Sequence, residues 1–124
     1  MLSETIQDHF LNPRNAGVLE NADGVGTEGS PGAGNFMVIA VRLRAGVIEE
    51  AKFQTYGCAG AIAAGSCLTE WITGRTVVEA AAITAAELNA RLGGLPLGKE
   101  HCASLAVAAL RRALKDAGGG AVRR

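Results

Sequence analysis

The sequence predicts an α+β fold: a small antiparallel three-stranded sheet with helices packed on one face. Three observations predict it. Alternation with period two is confined to the first half of the chain, while recurrence at three and four residues fills the second. Ala45-Gly46 joins two alternating runs closely enough for a hairpin. At 124 residues, 48% hydrophobic and 19% charged, the chain can fill one core. One domain is expected over residues 1–117, followed by a flexible Gly-rich tail over 118–124.

Ser3 can cap a first short helix with Leu2, Ile6 and Phe10 on its apolar side, and Pro13 and Gly17 in "NPRNAG" end it. "GVGTEGS" then supplies a third, irregular strand. From Gly34 onward, Met37, Ile39, Val41 and Leu43 point one way and Ala40, Arg42 and Arg44 the other, which describes a half-buried strand. In "VIEEAKFQTY", Ala51, Phe53 and Thr55 alternate with Glu50, Lys52 and Gln54, completing an antiparallel hairpin. After Cys58 the pattern turns helical, with Ala61, Ala64, Leu68, Trp71 and Ile72 on one stripe until Gly74. Thr76 with Glu79 and Thr84 with Glu87 each have capping-box form and open two short helices. "GGLPLGK", residues 93–99, breaks the pattern, and a last helix is expected from about Lys99 to Asp116.

Formal net charge is zero, so no overall field draws the chain to nucleic acid or to an anionic membrane. Arg111, Arg112, Lys115, Arg123 and Arg124 cluster late, as expected of cations complementing the end of a helix. No apolar run is long enough to span a bilayer and no start resembles a secretory signal, which predicts a cytoplasmic protein. Three cysteines, an odd number without a dense framework, suit free thiols in a reducing compartment.

Chemistry concentrates in two places. Cys58 lies where a strand gives way to a helix, and Cys102 lies in the first turn of the last helix, behind His101. Unpaired backbone N–H groups and the positive end of the helix dipole favour thiolate at such positions, the form that attacks electrophiles and binds metals. His101 adds a neutral imidazole, a borderline metal ligand. A metal or thiolate site and a pair of inert buried cysteines both remain open on these residues alone. Cys67, on the apolar stripe and about 13 Å along the helix from Cys58, is expected in the core. Phe53 and Trp71 are expected there too, and His9 on the solvated surface. Glu49, Glu50 and Glu70 form no carboxylate pair suited to acid/base hydrolysis.

"DHFLNPRNAG", "AKFQTYGCAGAIAAGSCLTEWITG" and "LPLGKEHCASLAVAALRRAL" resemble the matching segments of the IscU / NifU amino-terminal family, in order and spacing, from about residue 7 to 116. The resemblance implies a non-enzymatic scaffold for iron-sulfur cluster assembly. In that family three cysteines, a histidine and an aspartate converge, take sulfur from a cysteine desulfurase, and hold a [2Fe-2S] cluster or a zinc ion. Cys58, His101 and Cys102 fall on three of those positions. "LPLGK" is similar to a motif read by an Hsp70-type chaperone, with Leu97 and Gly98 replacing its second proline and its valine. Recipient apo iron-sulfur proteins are further implied partners.

The glycine loop "GSPGAGNFMV" departs from the family. The position of the first cysteine holds Ala33 and that of the aspartate holds Asn35, although Pro31 and Gly34 keep the frame. No Lys-Ser/Thr follows its glycines, so it is no phosphate loop either. Three good ligands therefore remain per chain, and the fourth position falls to water, an external thiol, a substrate, or a residue of another protomer in a homo-oligomer. Loss of the loop cysteine leaves Cys102 as the implied persulfide carrier beside Cys58. Two other readings stay open. One is a degenerate family member that binds and regulates the desulfurase machinery without holding a cluster. The other is a cysteine-based enzyme with Cys58 as nucleophile and His101 as base.

Overall fold

The computed structural model describes residues 2–29 and 34–122, so Pro31, Ala33, Arg123 and Arg124 lie outside the described residues. Its elements run α1 (Glu4–Leu11), β1 (Gly24–Gly29), β2 (Phe36–Arg44), β3 (Val47–Tyr56), α2 (Ala59–Ile72), α3 (Val77–Ala81), α4 (Ala85–Arg91) and α5 (His101–Val122). The sheet order is β1-β2-β3, antiparallel throughout. The α+β expectation and its single small sheet are borne out.

Each start has its expected chemistry. Ser3 accepts from the Ile6 N–H and donates to the Leu92 carbonyl at 2.5 Å, so one hydroxyl caps α1 and ties it to the end of α4. Thr76 and Thr84 form complete capping boxes with Glu79 and Glu87. Ala45 and Gly46, both with positive φ, turn the hairpin. The register slips between Arg42 and Leu43, and Leu43 therefore loses the full burial that Met37, Ile39 and Val41 keep.

The buried faces of β2 and β3 meet Ala61, Ala64, Leu68 and Ile72 of α2 and Ala106, Val107, Leu110 and Ala113 of α5 in one core. Cys67 and Phe53 are buried as expected, while Trp71 is half-buried with the Arg91 guanidinium 4.4 Å from its ring. The outer edge of β3 is covered by residues 15–17: the Phe53 N–H donates to the Asn15 carbonyl, and the Gly17 N–H donates to that of Phe53. On the other edge the Val25 N–H donates to the Asp116 carboxylate.

Two expectations need correction. The last helix does not end near Asp116 but continues to Val122. Glycine weakens a helix but keeps its N–H, and with no proline after Asp116 the ladder is not broken.

His9 is not a surface residue: it is 6% exposed, with Nδ1 2.7 Å from the hydroxyl of buried Ser66, which also accepts from the Arg14 N–H. Its Nε2 faces Glu70 at 3.7 Å. Burial holds its pKa below the usual imidazole value, assisted by the Arg14 charge and opposed by Glu70 and Asp8. The folded state thus binds fewer protons than the unfolded chain as pH falls through about 6.5, and stability must fall with pH in that window. The expected slope is at most about 1.4 kcal/mol per pH unit, recovered above pH 7. Denaturant melts of the wild type and His9→Gln between pH 5 and 8 check this, the variant giving the flatter profile.

Candidate thiol and imidazole site

Strand register builds the site. Phe36 pairs with Tyr56, so the start of β2 and the end of β3 lie at one end of the sheet, and Asn35 stands beside Gly57. There β3 hands over to α2, whose N-cap is Cys58, and α5 begins with His101 and Cys102. A Cβ on Gly57 would lie 2.7 Å from Asn35 Oδ1, so only glycine leaves room for that amide.

The two sulfurs that are 44 residues apart in sequence come within 3.9 Å, and His101 Nε2 lies 3.9 Å from Cys102 Sγ. Asn35 Nδ2 lies 3.2 Å from the same Nε2. Cys58 is half-buried and Cys102 is wholly buried, which makes Cys58 the sulfur that solvent reaches. Gly60 lies against the pair: a Cβ there would sit 3.3 Å from Cys102 Sγ, a tight contact, and 3.6 Å from Cys58 Sγ, an ordinary one. Leu95 closes the same side.

The helix-end argument holds for Cys58 and fails for Cys102. Burial pushes the Cys58 thiol up, but the Ala61 and Gly60 N–H groups, the Cys102 thiol and the Lys99 charge outweigh it, and the net shift is downward. Burial dominates at Cys102. Together with the charge of Cys58 and the hydrogen bond to it, against a smaller pull from Lys99, it carries that thiol up to about 12. The Cys102 N–H is also spent on the Lys99 carbonyl. The two titrate as a pair in which the first proton leaves Cys58.

A tetrahedral ion with sulfur at about 2.3 Å separates two sulfurs by about 3.8 Å, so the observed spacing fits a shared metal. Among the described residues, no three of His, Cys, Asp and Glu are already arranged as a ligand group. The structure thus brings Cys58 to Cys102 and Cys102 to His101, with Asn35 against the imidazole where the family resemblance places an aspartate.

Asn35→Asp is expected to raise zinc affinity roughly tenfold or more, since its side chain stands 3.2 Å from the His101 Nε2 that faces Cys102 and a carboxylate there offers a fourth ligand where the amide does not. Competition titration with a chromophoric chelator checks this. Sequence reasoning missed the roles of Lys99 and Gly60; the glycines flanking Cys58 at 57 and 60 were the available signal.

A small α+β domain with a thiol pair and an imidazole at one end of its sheet is the class these features define. The chain belongs to the NifU-like N terminal domain family, which it matches over residues 1–119. It is 51% identical over 116 residues to the iron-sulfur cluster assembly scaffold protein IscU 1 of Archaeoglobus fulgidus, covering 94% of this chain and 76% of that protein. It is 42% identical over 118 residues to the Escherichia coli scaffold protein IscU, covering 92% and 91%. A SUF-system protein of Fervidobacterium islandicum superposes with a TM-score of 0.72 at 26% identity, over 91% of this chain and 96% of that one. The NifU-like amino-terminal structure from Brucella abortus, at 18% identity and a TM-score of 0.74 over 94% of each chain, shares the fold.

Proposed function

We propose that this chain is a scaffold or carrier in iron-sulfur cluster assembly, not an enzyme, and that Cys58, His101 and Cys102 hold its cargo. That cargo is a [2Fe-2S] cluster or a zinc ion. The observation that carries the reading is the 3.9 Å approach of two thiols beside an imidazole, in a chain whose relatives bear the scaffold name. Thiolates are the protein ligands of such clusters. Binding a cation expels the high Cys102 proton, so loading strengthens as pH rises. With three donors one position stays open, which suits cargo meant to leave. The partners this reading assigns are a cysteine desulfurase and apo iron-sulfur proteins in the cytoplasm. An Hsp70-type chaperone would meet the 95–99 loop, where Leu97 is 96% exposed.

Metal analysis of protein purified without oxygen, followed by iron and sulfide reconstitution, tests the reading. It expects metal bound stoichiometrically and visible charge-transfer absorption, and a metal-free, colourless product would overturn it. The Asn35–His101 contact, where the family resemblance places an aspartate, favours a second reading, a cluster-free regulator of the desulfurase. Undiminished desulfurase binding by protein that never takes up metal would select it.

A further inference from the structure

We propose that Cys58 and Cys102 form an oxidisable dithiol, which peroxide closes to an intramolecular disulfide. The scaffold reading enters only through the consequence, since a disulfide removes both thiolates from the ligand set.

Geometry carries the inference. The sulfurs are 3.9 Å apart, and Gly60 places no side chain against either. A disulfide needs about 2.05 Å, a closure that side-chain rotation at the half-buried Cys58 can supply. Exposure divides the roles: Cys58 is open to a small oxidant, whereas Cys102, wholly buried, has Cys58 as its sulfur neighbour. Cys67 sits deeper in α2, in the core cluster.

The chemistry balances. The Cys58 thiolate attacks one oxygen of hydrogen peroxide, the O–O bond breaks, and hydroxide leaves a sulfenic acid behind. Cys102 then attacks the Cys58 sulfur, the S–O bond breaks, and water departs with the Cys102 proton. Two sulfurs give up two electrons, and one peroxide becomes two waters. A dithiol reductant reverses the step by exchange.

Metal-free full-length protein treated with hydrogen peroxide provides the test. The expected result is a loss of about 2 Da, one thiol of three left to alkylate, a Cys58–Cys102 cross-linked peptide, and full recovery with dithiothreitol. Cys67→Ala should behave as wild type, and Cys102→Ser should stop at a Cys58 sulfenic acid trapped by dimedone. Three free thiols after treatment, direct passage of Cys58 to sulfinic acid, or a disulfide between chains would overturn the inference. Protein that closes the disulfide yet takes up neither zinc nor a reconstituted cluster sustains the inference and sinks the scaffold reading. Protein that binds zinc but keeps its thiols under peroxide does the reverse.

Discussion

Gly26→Ala, the addition of one methyl group, is expected to lower the melting temperature by on the order of 15 °C. A Cβ at Gly26 would fall well inside van der Waals contact of the Ala109 carbonyl oxygen and the Ala113 nitrogen, and 2.7 Å from the Arg112 Cβ. Two of these are backbone atoms of α5, so no rotamer change relieves the overlap and the helix must lift from the strand. Gly24 repeats the arrangement one pleat away, with a Cβ 2.8 Å from that of Ala117. Ala109, Ala113 and Ala117 form a smooth ridge at four-residue spacing, and the two glycines let β1 lie directly on it. Overpacking usually costs 1–3 kcal/mol, and a displaced backbone puts this case at about 3–5 kcal/mol. That is a large part of the roughly 5–15 kcal/mol that holds a domain folded. At ~4 °C per kcal/mol for a chain of this size the shift follows. In a strand without such a neighbour alanine would help slightly, and Val25→Ala, on the exposed face, should move the midpoint little. Thermal melts of the three proteins check this.

The same contact shows why part of the fold was legible and part was not. The hairpin and α2 were readable because burial on one side of an element leaves its period in the chain, as in Met37, Ile39 and Val41 or Ala61, Ala64 and Leu68. The capping boxes of α3 and α4 were readable because both partners lie within four residues. β1 had only an irregular signal, because its glycines report a helix some 85 residues later rather than anything local. His9 was misread for a similar reason: its partners Ser66 and Glu70 come from α2, and no local pattern marks a histidine that another helix will cover. At the site, Cys58, His101 and Cys102 stood out by their places at helix starts, and the resemblance joined them into one ligand set. The Asn35 amide on His101, the space left by Gly60 and the opposite displacements of the two thiols needed coordinates, since burial and hydrogen bonding set them.

Serine substitutions at the three cysteines are expected to separate ligand roles from packing roles. If the site binds zinc as proposed, Cys58→Ser and Cys102→Ser should each weaken it by on the order of 100- to 1000-fold, taking apparent structural-zinc free energies of about 10–16 kcal/mol as shared among four donors. Their stabilities should differ. Cys58 is half-buried, and serine there leaves its hydroxyl near water, so the metal-free melting temperature should hardly change. Cys102 is wholly buried, and a hydroxyl in its place costs about 1–3 kcal/mol unless Cys58 partners it. Cys67→Ser should give the complementary result, reduced stability with zinc affinity unchanged, because its sulfur lies in the core cluster away from the pair. Zinc competition titrations beside metal-free melts measure both quantities on the same samples. If all three variants lost stability in proportion to burial while zinc affinity stayed level, the thiols would be core side chains that happen to touch. Loss of affinity at Cys58 without loss of stability is the pattern that packing alone does not produce.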